Sequence, residues 1–501
     1  MNYHQKMALV AGALASVTLV GAASAQTSDP LLNALIKKGV LTETEAKAVQ
    51  TEVKDGGQAE GAPKFLLVNS AFKNVELFGD ARFRYEYRET QTAPGKDTYA
   101  RERFRYSLRF GLRGEAFDDF YYGLRLQTSA NNRSAWVTFG DEKLSSSGGG
   151  STSSANVGPF GNGSDGINVG QAYAGWRATE WLDITLGRMP NPIYTTSMAW
   201  DSDLSPEGAA EKLKYSPTKN LELFGTFGQF LYQDTNPDNP APAITGPGTT
   251  SNQSDVFLLA WQIGAKYKFN NDISAKIAPV LYNYTGHGQN SGFNGVFVGQ
   301  GNTSGGNLNN ATPGSATGFS ANQTGINDLL VLEIPAEVNF KLGKFPARIF
   351  GDFALNLDGR RRAELAAAAS SAAGIVPIGT AQKDDTKAYQ IGFAIGNVDL
   401  VNGQHPKKGS WEFRTYWQHV EQYALDVNLI DSDFMEGRGN LEGVYAAVAY
   451  SLSANAITTV RYGYADRINK KLGTGGSNLD MPEINPATKY QLLQLDFTLK
   501  F

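Results

Sequence analysis

The chain has 501 residues, 45 Lys plus Arg against 49 Asp plus Glu, a formal net charge of −4 and no cysteine. Disulfides and thiolate metal sites are therefore excluded, and a balanced, slightly acidic chain lacks the electrostatic footprint of a nucleic-acid binder. With 55 Gly, 22 Tyr and 27 Phe, the composition suits many strands joined by glycine-rich loops better than a helical protein.

In chain order, Lys6 precedes an apolar run rich in Ala, Gly and Val that ends at Ala23-Ser24-Ala25. The small-x-small ending predicts a cleaved signal peptide over 1–25 and a mature start near Gln26. A membrane-spanning helix is the alternative, but the run is short, and no later stretch approaches the roughly 18 unbroken apolar residues that a spanning helix needs. Residues 26–64 differ from everything after them. Leu31, Leu32, Leu35 and Ile36 fall at helical spacing, Gly39 breaks the pattern, and Thr42 with Glu45 forms a capping box. A short N-terminal helical periplasmic segment is expected there, followed by a linker at Gly56, Gly57, Gly61 and Pro63. It would serve as a module for subunit association or cell-wall contact, or as a tether with no role of its own.

From about Val75 the period changes from 3.6 to 2. Val75, Leu77, Ala81, Phe83, Tyr85 and Tyr87 alternate with Glu76, Asp80, Arg82, Arg84, Glu86 and Arg88. The next segment repeats this, with Phe104, Tyr106, Leu108, Phe110 and Leu112 between Arg103, Arg105, Ser107, Arg109 and Arg113. Such runs are about twice as long as the five or six residues usual in soluble sheets. Sixteen of them are predicted, near 74–88, 101–116, 119–129, 168–178, 181–188, 209–216, 220–231, 255–269, 272–284, 329–342, 346–358, 386–398, 410–423, 441–453, 456–467 and 488–501.

Connections after even-numbered strands are mostly tight, as at Phe117-Asp118-Asp119, Asn270-Asn271 and Gly343-Lys344-Phe345, whereas 130–167, 232–254, 285–328 and 359–385 are long and polar. Short turns on one side and long loops on the other are the mark of an outer-membrane barrel. In lipid no strand edge can stay unpaired, so the last strand must close on the first. The expected fold is an all-β, sixteen-stranded antiparallel transmembrane β-barrel over 65–501. A soluble propeller or sandwich pair would need repeating blades or Greek-key spacing. Phe120, Trp181, Phe269, Phe345, Trp411 and Phe501 fall near the short turns, where an aromatic girdle would sit.

With apolar residues toward lipid, the alternate residues face the lumen. Arg82, Arg84, Arg88, Arg103, Arg105, Arg109, Arg113 and Arg125 then form a basic wall on the first three strands. Such a wall favours anions; alternatively, Glu76, Asp80, Glu86 and Glu115 neutralise it and the arginines simply hold the strands together. Catalytic signatures are missing: there is no G-x-S-x-G and no H-E-x-x-H. The four histidines are His4, His287, His405 and His419, and His419 lies on the lipid-facing parity of its strand. Asp431-Ser432-Asp433 lacks the full calcium-loop pattern. Arg360, Arg361 and Arg362 lead into an Ala-rich stretch expected to be helical. No enzyme activity, metal or cofactor is expected.

The segments LLNALIKKGVLTETEA, ELFGDARFRYEYR, LGRMPNP, WDSDLSPEG and LIDSDFMEGRGNLEG, in this order, and the terminal Phe501 resemble the putative porins of proteobacterial outer membranes. These are similar to the sixteen-stranded general porins, which form trimers and passively admit small hydrophilic solutes and ions. The resemblance implies that the loop after the fifth strand, 189–208, folds into the barrel and sets Asp201, Asp203 and Glu207 against the basic wall. Alternatively, Asp201 and Asp203 are turn residues bonded to their own loop. It also implies that Phe497, Leu499 and Phe501 are read by the barrel-assembly machinery. Partners would be outer-membrane lipid, small solutes and two further copies in a homotrimer. The competing readings are a porin selective for anions or sugars, with Tyr121, Tyr416 and Tyr445 as lumen contacts, and a structural or adhesive barrel.

Overall fold

The computed structural model describes residues 64–65, 72–91, 98–117, 119–129, 134–140, 166–234, 255–285, 329–364, 382–470, 472, 474 and 487–501. The predicted signal peptide and N-terminal helices lie outside the described residues. Within 26–64 only Lys64 is described; with Phe65 it forms a two-residue strand paired to Glu76 and Val75.

Sixteen strands make up the wall. They are β1 (Phe72–Gln91), β2 (Thr98–Ala116), β3 (Phe120–Ser129), β4 (Gly166–Thr179), β5 (Leu182–Arg188), β6 (Glu207–Tyr215), β7 (Leu221–Gln233) and β8 (Val256–Lys268). Then come β9 (Ser274–Ile277 with Val280–Thr285), β10 (Leu330–Glu333 with Ala336–Leu342), β11 (Phe345–Asn356) and β12 (Lys387–Gly396). Last are β13 (Trp411–Val420), β14 (Leu441–Ser451), β15 (Ala456–Arg467) and β16 (Lys489–Lys500). β9 and β10 are each interrupted beside a proline, Pro279 and Pro335, which has no N–H to give to the ladder. Every strand pairs antiparallel with the next, and β16 pairs with β1 through Phe497 opposite Phe83 and Lys500 opposite Asp80. The barrel is closed.

Period-2 alternation becomes a two-sided wall. Phe83 is 43% exposed and its neighbour Arg84 only 3%, so the apolar parity faces outward and the charged parity inward. Phe104, Leu108, Phe110, Ile263, Ile391, Val448 and Val460 continue the outward band. Near the short turns Phe120, Trp181, Phe269 and Phe501 are exposed, Phe120 stacks on Trp176, and Phe345 meets Trp411 edge-on. Aromatic rings at this level suit a membrane boundary.

On the turn side the connections run from two to five residues, except one. Turn T6, residues 397–410, joins β12 to β13 and is far longer than 117–119, 343–344 or 452–455. On the loop side, L3 (189–206) and L7 (421–440) are described throughout. Two apolar clusters lie inside the barrel. One joins Met189, Ile193, Met198 and Trp200 of L3 and Leu425, Val427 and Ile430 of L7 to Phe230, Leu258 and Tyr282 on the wall. The other joins Leu400 and Val401 of T6 and Phe434 and Met435 of L7 to Tyr416, Tyr445, Ile457 and Leu492. Residues 359–364 at the start of the loop after β11 are helical.

The seam is finished by Phe501. Its N–H donates to the Gly79 carbonyl at 3.1 Å and its carbonyl accepts from the Gly79 N–H at 2.9 Å. A Cβ at Gly79 would stand 2.4 Å from the Arg109 carbonyl oxygen and 2.6 Å from the Phe501 ring. Gly79→Val should therefore overpack the seam at a cost of about 1–3 kcal/mol. A lower melting temperature of the heat-modifiable barrel on gels would register this.

Candidate functional site: the lumen and its constricting segments

The basic wall comes from inward positions of β1, β2 and β3. Register brings Arg84 opposite Arg105 and Glu86 opposite Arg103, so guanidiniums crowd one patch and carboxylates must share them. Glu86 lies 2.5 Å from Arg103, 3.0 Å from Arg88, 3.7 Å from Arg105 and 3.8 Å from Arg84. Four cations thus meet at one buried anion. Further acids come from distant segments: Asp496 of β16 lies 2.7 Å from Arg84, Asp433 of L7 2.5 Å from it, and Glu436 of L7 pairs with Arg88. Arg461 of β15 also pairs with Asp496. Nearer the turns, Arg82 and Arg109 share Asp80 at 3.1 and 2.9 Å. Arg113 pairs with Glu76 at 2.8 Å and is largely exposed, outside the central cavity. Arg125 bonds Gln127 at 3.0 Å. The wall is thus mostly compensated, in part by Asp80, Glu86 and Glu76 and in part by acids the sequence did not tie to it.

L3 crosses the lumen. The Tyr194 N–H donates to Gln262 of β8 at 2.9 Å, the Thr195 hydroxyl to Glu333 of β10 at 2.6 Å and the Thr196 hydroxyl to Asp352 of β11 at 2.5 Å. Lys276 of β9 stacks over the Tyr194 ring at 3.4 Å. The three loop acids part company. Asp203 reaches the wall, 3.2 Å from Arg109 and 3.7 Å from Arg82. Asp201 turns to its own loop and to L7, accepting from the Asp203 N–H at 2.8 Å and the Ser432 hydroxyl at 3.2 Å. Glu207 begins β6 and pairs with Arg188 at 3.1 Å, on the parity of outward-facing Leu186, away from the wall.

Electrostatics in these loops follow from burial and neighbours. Burial pushes the Asp203 carboxyl up, but Arg82 and Arg109 outweigh it and hold it below its ordinary value; burial and Arg84 act in the same way on Asp433. Asp431 goes the other way, raised well above its usual value by burial and then by Asp201 and Asp433.

The connection between β3 and β4, described over 134–140, adds a residue that sequence reasoning missed. Trp136 is buried, with the Arg84 and Arg82 guanidiniums 4.2 and 4.7 Å from its ring centre. Its signal was Ala135-Trp136-Val137, an apolar triplet in a polar loop. Tyr416 and Tyr445 stack on each other at 4.7 Å and both line the cavity, whereas Tyr121 bonds Asp183 and Thr185 outside it. His419 stacks on Tyr389 and contacts Glu442 and Glu421, away from the cavity. Among the described residues no His or carboxylate group is arranged to hold a metal.

What remains open is a polar cavity of about 1080 Å³ bounded by the basic wall, L3, Asp431–Asp433 of L7, and Asp399–Gln404 of T6. A closed barrel with a charged, loop-narrowed interior has the build of a channel, and residues 68–501 match the model of a family described as putative porin. The chain belongs to the putative porin family. No curated protein matches it. Solved structures similar to it include in-vitro folded OmpT, an outer membrane protein of Vibrio cholerae, with 10% identity, a TM-score of 0.37, 87% of this chain and 99% of that one covered. A mutant of Rh. blastica porin is similar at 10% identity and a TM-score of 0.37, over 85% of this chain and 100% of that one. Family membership and the barrel fold place the chain in the outer membrane.

This member of the porin family carries a second basic strip on the opposite wall. Lys212 of β6, Lys266 and Lys268 of β8 and Lys276 of β9 share the inward parity of Gln262, with Lys266 directly opposite Lys276. Like charges set opposite one another are unfavourable in a sheet. Lys266 is exposed and makes no ion pair among the described residues. Reading the alternation of β6 to β9 as closely as that of β1 to β3 would have found the strip.

Asp431 gives a pH test. An acid whose value is raised in the folded state keeps its proton where the unfolded chain has lost it, so stability falls as pH climbs from the unfolded value, about 3.9, toward the folded one. Asp431→Asn retains the acceptor for the Asp433 N–H and removes that slope. Melting midpoints should match wild type near pH 4 and exceed it at pH 8.

Proposed function

We propose that the chain is a diffusion porin: small hydrophilic solutes and ions pass down their gradients through the lumen, with a preference for anions. The observation that carries this reading is the polar cavity of about 1080 Å³ inside a closed barrel, narrowed by L3 and edged with arginines. Passage of this kind needs no reaction and no cofactor. The anion preference is supported by the strip at Lys212, Lys266, Lys268 and Lys276, where Asp183, Glu222 and Glu337 stand opposite three of the four lysines and Lys268 faces Ser274, leaving an excess of positive charge. An excess of one sign in a low-dielectric cleft concentrates the opposite ion.

The same reading includes export by residues 1–25, assembly as a trimer, and recognition of Phe497, Leu499 and Phe501 by the barrel-assembly machinery. A solute-selective version gains support from the narrowing of the cavity by both L3 and T6.

Purified protein in a planar bilayer should give stepwise conductance, with a reversal potential in a KCl gradient favouring chloride. Replacing Lys266 and Lys276 together by Gln should weaken that preference and Asp203→Asn should strengthen it. A folded barrel that never conducts would sink the reading in favour of a structural or adhesive barrel. For assembly, deletion of Phe501 should lower the yield of folded barrel in the outer membrane while export continues, measured by heat-modifiability of membrane fractions; an unchanged yield refutes the assembly role.

A further inference from the structure

T6 is the exception among the turns, and it does not hang outside the barrel. Asn397–Leu400 turn inward, and Leu400 and Val401 are buried against Tyr416, Tyr445 and Ile457. Polar anchors then fix the segment to strands on both sides. Asp399 accepts from Arg348 of β11 and Arg414 of β13, each at 2.9 Å. The Val401 N–H donates to Glu412 of β13 at 2.7 Å, and its carbonyl accepts from Arg461 of β15 at 3.2 Å. Lys500 of β16 donates to the Gly403 carbonyl. The segment therefore spans the wall from β11 to β16.

The backbone is committed to this path. Asp399 has φ +79°, a conformation costly for a residue with a Cβ, and Gly403 has φ +74°. Strain of this kind persists only where the surroundings over-determine it, and the paired guanidiniums supply that at Asp399. Burial raises the Asp399 carboxyl, yet Arg348 and Arg414 outweigh this and hold it ionised.

The groups presented to the cavity follow from what the anchors consume. The Val401 and Gly403 carbonyls and the Asp399 carboxylate are already occupied by cations. Asn402 and Gln404 are exposed and line the cavity. Their amides offer neutral donors and acceptors in a lumen otherwise dominated by fixed charge.

We propose that residues 399–404 of T6 form a second constriction on the turn side of the lumen, with Asn402 and Gln404 as its specificity-determining residues for hydroxyl- or carboxylate-bearing solutes. This inference rests on the diffusion reading above. L3 with L7 narrows the path from the loop side, T6 narrows it from the turn side, and a solute passes both. Charge is selected along the walls, and hydrogen-bonding fit is selected at T6.

Because the chain has no cysteine, one introduced thiol can be addressed alone. Asn402→Cys alters an exposed side chain, and Ala454→Cys on the neighbouring tight turn 452–455 is the control. Each full-length variant is reconstituted in a planar bilayer and treated with 2-sulfonatoethyl methanethiosulfonate, with modification verified by mass. Single-channel conductance of Asn402→Cys should fall by about half, while that of Ala454→Cys stays unchanged. Full modification of Cys at 402 with no change in conductance overturns the proposal, as does failure to modify it while the control reacts. If untreated protein does not conduct, the diffusion reading fails and takes this one with it, an outcome distinct from conduction indifferent to modification.

Discussion

Closure of β16 on β1 is the constraint on which everything else depends. A strand edge in hydrocarbon leaves a row of backbone donors and acceptors with no partner, at a cost of several kcal/mol each. The pairing of Asp80 through Gln91 with Lys489 through Lys500 removes that edge. It also carries Asp496 to Arg84 and Arg461 to the same carboxylate, so the seam that seals the wall completes the charge balance of the lumen. Backbone pairing and side-chain neutralisation are satisfied by one register.

Within that wall the interior is far from an empty tube. Apolar side chains from L3, L7 and T6 cover inward-facing apolar positions such as Phe230, Leu258, Tyr282, Tyr445 and Leu492. Burying these side chains stabilises the docked segments by about 25 cal/mol per Å² of apolar surface removed from water. Hydrogen bonds from Thr195 and Thr196 to buried carboxyls then fix the register of L3, since a carboxyl left unsatisfied there would cost more than the bond itself contributes.

The wall was legible in the sequence because lipid on one side and water on the other impose a strict alternation. Phe83 beside Arg84 or Leu108 beside Arg109 leaves little choice of face, and all sixteen strands fall where the alternation predicts. Loop docking was legible only in part, because it depends on contacts between residues far apart in sequence. Asp203 reaches the basic wall, but Asp201 is taken by L7, and Glu207, already in β6, points out of reach. Beside the local Glu86, the acids that neutralise Arg84 and Arg88 come from L7 and β16, hundreds of residues away. T6 carried a faint signal, Leu400-Val401 within a polar turn too long to be a simple reversal.

The inward fold of T6 separates two properties that a barrel usually ties together. Strand number and tilt fix the diameter of the wall, but the space inside it is bounded by L3, by L7 and by a few residues of T6 held on that wall by three arginines and a lysine. The width of the lumen is therefore modular. Exchange of a dozen residues between β12 and β13 can widen, narrow or re-tune the passage without disturbing a single strand pairing, and variation among related barrels has a place to act that leaves the wall intact.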